Sequence, residues 1–410
     1  MDKQVSQSRI FRRGKLFDYL EDVDRFLAAD PEPDLRYGII GCGMMGQEHI
    51  RNTVLVGRAS IGGLFDTSPK SVDHALETVK RLQKSQPTVY NSLEEACADP
   101  TTDALIIATP NYTHLDVLRV ATQHGKAIFL EKPIATSITD AFEVYNLAKS
   151  HSHTVRFGLQ YRYKAVYAEA INEVFERNSA GHVHSVSMLE HRFPFLDKVG
   201  QWNKFDATTG GTLVEKCCHY FDLINLFAGG RPEVVYAAGN QAVNFREFTY
   251  NNQPADGIDQ AQVTINYDNG VIGSFSLCMF APGSREELIV CGDQGRVLAS
   301  EQALLGQENV NQLEIWRGEN GASVHSTPSY APYIAKAGHH GSTFYEHIAF
   351  ANEATQTGNA APNLEDGLWS VLVGAAAQTS IERKAAVTIE ELLPPGITQT
   401  LTSGAHTHAR

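Results

Sequence analysis

Long apolar runs are missing from this 410-residue chain. No stretch approaches the ~18 residues that a membrane-spanning helix requires. The N-terminal segment MDKQVSQSRIFRRGKLFDYLEDVDRF has no apolar core of the kind that marks a secretory signal. Its Arg12-Arg13 pair is followed by a charged stretch that does not fit a twin-arginine leader. A cytoplasmic location is therefore expected. Basic runs are missing too. With 34 Lys and Arg against 47 Asp and Glu, the formal net charge is −13, which argues against nucleic acid or an anionic membrane as the main partner. Cysteines are few: Cys42, Cys97, Cys217, Cys218, Cys278 and Cys291, with no C-x-x-C pair. This excludes the usual zinc spacings and points to a reduced protein. The 16 histidines show no H-E-x-x-H, so no metal is expected. Repeats and low-complexity tracts are absent.

What is present is a change of pattern along a chain long enough for two domains. Residues 1–34 form an extension, with helical spacing over 15–28 (Leu16, Leu20, Val23, Phe26, Leu27) ended by Pro31 and Pro33. It reads as a solvated lead-in helix or as an arm packing on a neighbouring subunit. Residues 35–155 alternate strand and helix: strands at 37–41, 59–65, 104–108 and 127–130, helices at 44–56, 68–82, 113–123 and 139–150. That alternation signals a parallel sheet covered on both faces. From 156 to 390 the character changes. A helix is predicted over 165–176, strands at 182–191, 232–239, 259–266, 271–278, 286–291 and 310–316, and helices at 343–355 and 366–384. Asn269-Gly270 reads as a hairpin turn. This is an α+β domain, followed by a tail at 391–410.

The first strand runs into Gly41-Cys42-Gly43-Met44-Met45-Gly46, a G-x-G-x-x-G between a predicted strand and a predicted helix. Gly41 permits the tight turn, Gly43 lets backbone approach a pyrophosphate, and Gly46 lets helix pack on strand. The helix N-terminus offers unpaired N–H groups to phosphate. The second strand ends at Asp66, 20 residues after Gly46. A carboxylate there accepts from ribose hydroxyls and repels a 2′-phosphate, so NAD is expected over NADP, although Lys70 lies nearby. Thr109, Pro110, Asn111 and His114 follow the third strand. Glu131-Lys132-Pro133 follows the fourth, which places a lysine at a strand's C-terminal end on the cofactor side.

With GCGMMG, ATPNYTH, EKP, GGTLVEKCCHYFDL and DGLWSVLVGAAAQTS in this order, the chain resembles the Gfo/Idh/MocA family of NAD(P)-dependent oxidoreductases over about residues 36–390. The resemblance implies a Rossmann domain followed by an α+β domain with a large open, mostly antiparallel sheet. It also implies that Lys132 and a pair matching D-x-x-x-H carry the chemistry. Here the pair is Glu215 and His219; Glu215 replaces the commoner Asp. Residues four apart on a helix share a face. Glu215 is open to a second reading, as a salt-bridge partner of Lys132 or Lys216. In the implied reaction His219 takes the hydroxyl proton, Lys132 stabilises the alkoxide, and a hydride passes to nicotinamide. An ordinary imidazole would make activity rise through a pKa of about 6–7. Asp222 is expected to cap or pack its helix.

For substrate, the resemblance points to Gln160, Arg162 and Tyr163, with Arg162 either contacting substrate or holding the domain junction. The polar-aromatic stretch HRFPFLDKVGQWNK contributes His191, Lys198 and Trp202, and suits a sugar or a sugar with an anionic group. His340 is a further candidate. The expected enzyme is an NAD-dependent dehydrogenase of a sugar, cyclitol or glycoside. A redox-neutral NAD-dependent glycoside hydrolase is the alternative, and a non-catalytic NAD-sensing protein a third reading. The family's sheet-to-sheet pairing implies a homodimer or homotetramer.

Overall fold

The computed structural model describes residues 33–194, 197–304, 309–318, 323–355 and 364–394. The lead-in helix expected over 15–28 and most of the expected tail lie outside them.

The first unit runs β1 (Leu35–Ile40), α1 (Met44–Val56), β2 (Ala59–Phe65), α2 (Pro69–Leu82), β3 (Thr88–Val89), α3 (Leu93–Ala98), β4 (Ala104–Ile107), α4 (His114–Ala121), β5 (Ala127–Leu130), α5 (Ile138–Ser150) and β6 (Val155–Phe157). The strands are parallel, in the order β3-β2-β1-β4-β5-β6. Every residue of β4 and β5 is buried, as expected of strands covered by helices on both faces. Ser68 and Ser137 cap α2 and α5 by accepting from Ser71 N and Asp140 N. The chain order reverses direction between β1 and β4. Ligands of such sheets bind in the crevice beyond the strand ends at that point. β3, α3 and β6 were not anticipated; β3 and β6 are two and three residues long, too short to show a period.

The second unit begins with α6 (Ala165–Ile171), which passes into a π turn at Asn172–Glu176. Next come β7 (Val183–His191), α7 (Cys218–Ala228), β8 (Pro232–Asn240) and a small ribbon of β9 (Thr249–Tyr250) and β10 (Gln253–Pro254). The strands β11 (Gln260–Tyr267), β12 (Ile272–Cys278), β13 (Gly283–Gly292), β14 (Gly295–Leu304), β15 (Val310–Arg317) and β16 (Val324–Ser326) follow. The unit closes with α8 (Ser342–Thr355), α9 (Leu364–Arg383) and β17 (Val387–Thr388). The nine-stranded sheet has the order β16-β15-β14-β13-β7-β12-β11-β8-β17. Its neighbours are antiparallel except β7 and β12. Asn269-Gly270 does turn between β11 and β12, with Gly270 at φ +83°. In β11, Ala261, Val263, Ile265 and Tyr267 are buried while Gln262, Thr264 and Asn266 are exposed, so one face packs on α7 and α9 and the other is open.

α8 departs from the expected division of the chain. It lies late in sequence, yet Phe350 and Ala351 join the core around Tyr37, Ile39 and Ile61 of the first unit. This return brings α8 against α1 and behind the end of β5.

Candidate active site

At the C-terminal edge of the first sheet the glycine turn has the geometry a dinucleotide needs. Gly41 has φ +93°, and a Cβ on it would lie 2.6 Å from the carbonyl of Ala108. A Cβ on Gly46 would lie 2.0 Å from the carbonyl oxygen of Gly41, whereas one on Gly43 would meet nothing within 4 Å. The turn is therefore closed toward the protein and open toward the cleft, at the N-terminus of α1. Met44 is exposed and Met45 half-buried at the start of that helix. Asp66 ties the end of β2 to this turn: its two oxygens accept from Cys42 N and Ser68 N, both at 2.7 Å. Half-buried, it keeps lone pairs for ribose hydroxyls. Thr109 and Pro110 are held by Thr113, whose Oγ1 lies 2.8 and 2.7 Å from Thr109 Oγ1 and the Pro110 carbonyl. The buried Asn111 side-chain amide nitrogen has no partner among the described residues and can donate to a cofactor. This set fits NAD.

Two expected cofactor residues are used otherwise. His114 is fully buried, its ring between the carbonyls of Pro133 (2.8 Å) and Thr109 (3.1 Å), so it joins two loops and does not face the cleft. Glu131 is buried as well. One oxygen sits 2.8 Å from His49 Nε2 and the other accepts the Lys132 backbone N–H at 3.0 Å. His49 Nδ1 lies 2.9 Å from His347 Nε2 of α8. Glu131 is thus the end of a buried chain that fixes the backbone carrying Lys132. Burial opposes its charge, but the His49 bond holds its pKa below the ordinary carboxylate value.

Lys132 Nζ donates to the backbone carbonyl of Glu215 at 3.1 Å. Burial opposes the ammonium, yet the Glu215 charge raises its pKa above the usual lysine value, so it stays charged. Glu215 Oε1 faces Lys198 at 3.4 Å, and its buried Oε2 has no partner among the described residues. Burial is again opposed, by Lys132 and then Lys198, which hold the carboxyl below its ordinary pKa. Lys216 points away, to Glu190 at 3.2 Å and the Tyr161 hydroxyl at 3.1 Å. Glu215 and His219 do not share one helix as the spacing predicts. Glu215 ends a single turn, Thr212–Glu215, and His219 is the second residue of α7, with an interruption at Lys216-Cys217. They still converge with Lys132. The His219 ring is buried and stacked on Tyr161, and its Nδ1 has no partner among the described residues. Burial first, then the charges of Lys132 and Lys216, push its pKa well below the ordinary imidazole value.

Of the expected substrate residues, Lys198 and Trp202 lie beside this centre. Lys198 Nζ sits 4.3 Å over the Trp202 ring, which meets Tyr112 edge-on at 6.4 Å. Arg162 is committed elsewhere: Nε and Nη2 donate to Asp222 at 2.7 and 2.5 Å, and Nη2 lies 2.9 Å from Asp366 of α9. It braces the junction of the units. Burial raises the Asp222 carboxyl to about 6, against the opposing pull of Arg162. The Tyr163 hydroxyl is taken by Arg156, and the buried Gln160 accepts from Thr343 of α8 at 2.6 Å. His191 is half-buried at the end of β7. His340 stands near Asn309 (2.9 Å) and Glu301 (3.7 Å), farther along the sheet. His49, His347, Tyr161 and Lys164 escaped the sequence reading. Each is an ordinary residue on a helix or turn until the fold brings it to Glu131 or His219. His49, one turn after Gly46 on α1, carried a faint signal by its place alone.

Comparison with known proteins identifies the two domains. Residues 35–159 match the family model for the NAD-binding Rossmann fold of the GFO_IDH_MocA oxidoreductases, and 173–389 match the model for their C-terminal alpha/beta domain. A myo-inositol 2-dehydrogenase of Thermotoga maritima is 24% identical over 362 residues, covering 88% of this chain and all of the relative. The scyllo-inositol 2-dehydrogenase (NAD(+)) of Bacillus subtilis is 26% identical over 271 residues, 65% of this chain and 74% of that one. The solved levoglucosan dehydrogenase, in complex with NADH and levoglucosan, shares the fold with a TM-score of 0.71 at 19% identity, over 87% of this chain and 99% of that one.

Proposed function

Because the chain belongs to the Gfo/Idh/MocA oxidoreductase family, whose first domain binds NAD, we propose that it is a dehydrogenase of a secondary alcohol on a cyclitol or sugar. The observation that carries this reading is the convergence of the Lys132 ammonium, the Glu215 carboxylate with one oxygen that has no partner among the described residues, and a buried, uncharged His219 beside the cofactor cleft. The inositol dehydrogenases among the relatives support the substrate class.

Bound NAD supplies the hydride acceptor. His219, uncharged because burial and Lys132 disfavour imidazolium, accepts the proton of the substrate hydroxyl. Lys132, already charged and directed by the Glu215 carbonyl, stabilises the alkoxide as it forms. Glu215 Oε2 accepts from a neighbouring hydroxyl and orients the ring. Lys198 and Trp202 offer an apolar face with a charged rim, suited to a polyhydroxylated ring. A ketone leaves.

The test is incubation of the purified protein with NAD and a panel of inositols and hexoses. NADH should accumulate with at least one of them, and Lys132→Met should lower kcat by roughly 10²–10³-fold. No NADH across the panel while NAD still binds would overturn the reading. Release of an aglycone from glycosides without NADH would replace it by the redox-neutral hydrolase.

A further inference from the structure

We infer that Tyr161 is the positioning residue for His219: a stacked ring, rather than a hydrogen-bonded carboxylate or carbonyl, holds the imidazole in its working plane. This rests on the reading of His219 as the proton acceptor.

A working imidazole usually has one nitrogen tied to a carboxylate or carbonyl, which sets ring plane and tautomer. His219 Nδ1 has no such partner among the described residues. Its ring instead lies on that of Tyr161, with centroids 4.1 Å apart and planes 4° from parallel. Such a stack positions only if the lower ring is itself immobile, and Tyr161 is held on every side. Lys164 Nζ also sits 4.1 Å from its centroid. Two groups cannot share one ring face at that distance, so the ammonium takes the face opposite His219. A cation so placed in a buried site binds the ring electrostatically. Lys164 is pinned in turn by Glu286 at 2.6 Å and Glu301 at 3.1 Å. The Tyr161 hydroxyl lies 3.1 Å from Lys216 Nζ and 3.3 Å from Glu286 Oε1. Tyr220 meets the ring edge-on at 5.4 Å. Tyr167 and Tyr220 also donate to Glu286. The nine-stranded sheet, through Glu286 of β13 and Glu301 of β14, thereby supplies a charged floor on which Lys164 and the Tyr161 ring rest.

The groups whose charge acts on His219 from the surrounding elements are Lys132, Lys216, Lys164 and His339. All oppose imidazolium. A ring that loses its plane also changes its distance from these charges, so the acid limb of the pH profile should move when the stack is lost.

The experiment compares Tyr161→Phe, Tyr161→Leu and His219→Asn with NAD and the best substrate of the panel, over a range of pH, with NADH binding measured for each. Tyr161→Phe keeps the ring and should keep kcat within about threefold. Tyr161→Leu should lose on the order of 10²-fold in kcat, with KM and NADH affinity little changed and the acid limb displaced. In the unmutated holoenzyme, NMR should find the His219 ring protons shifted upfield by the tyrosine ring current, and Tyr161→Phe should retain that shift. The inference is overturned by Tyr161→Leu at wild-type kcat, by Tyr161→Phe falling as far as Tyr161→Leu, or by the absence of the ring-current shift. His219→Asn at wild-type kcat would instead overturn the proton-acceptor role.

Discussion

His219 is required uncharged when it accepts a proton, and its surroundings keep it so over an unusually wide range. An ordinary imidazole would make kcat/KM for oxidation rise through about 6–7. Burial and the Lys132 charge lower this pKa, so the uncharged form persists to lower pH and the acid limb should lie below the ordinary imidazole range. A pH profile with its midpoint between 6 and 7 would contradict this. The same residue scale explains Arg162. Its guanidinium is shared by the buried Asp222 and by Asp366, where little water can replace it. Arg162→Met should cost about 3–5 kcal/mol, because two carboxylates are left uncompensated. Chemical denaturation measures this; a change under 1 kcal/mol would mean that Arg162 does not brace the junction.

Elements decide what these residues can reach. The turn from β1 to α1 is closed by backbone on backbone at Gly46, where an added Cβ falls 2.0 Å from the Gly41 oxygen. Neither side is a flexible side chain that could swing away. Gly46→Ala should therefore displace α1 from β1, weaken NADH binding at least tenfold in a fluorescence titration, and cost about 1–3 kcal/mol. Unchanged NADH affinity would refute this account of the turn. α8 acts at the same scale: by returning to the first sheet it sets His347 against His49 and so fixes Glu131 and the Lys132 backbone.

Across the whole molecule, three buried histidines, His114, His219 and His347, have pKa values lowered by burial. Below the unfolded value of 6.5 the unfolded chain takes up protons that the folded chain refuses. Each histidine then removes about 1.4 kcal/mol per pH unit until its folded pKa is reached. Asp206, raised to about 7, Asp222, raised to about 6, and Glu346, also raised by burial, act in the opposite sense, since their folded forms take up protons first. Between pH 6.5 and 5 the two sets oppose each other, so the thermal midpoint should change little in the unmutated protein, and Asp206→Asn, which removes one raised carboxyl, should make it fall as the pH drops over that interval. A midpoint in Asp206→Asn that rises as the pH drops would show that the histidines are not excluded from protonation.

The local signals in this chain were sufficient for the first unit and for its cofactor. Period, glycine spacing and a carboxylate 20 residues on are properties of contiguous segments, so β1, α1, β2 and the NAD turn were legible before any packing was known. Lys132, Glu215 and His219 were legible as positions because their motifs are short and ordered. Their electrostatics were not. Whether Glu131 faces a cofactor or a histidine depends on α8, more than 200 residues away in the chain. Whether Arg162 touches substrate or Asp366 depends on α9. The strand β14 and the charged floor beneath Tyr161 arise from long-range pairing, which no window of sequence contains. The chain itself determined that a dinucleotide binds and which residue types do the chemistry. Only the tertiary structure decided which of them keep a free atom, because burial and partnership are set by segments that meet only when the chain folds.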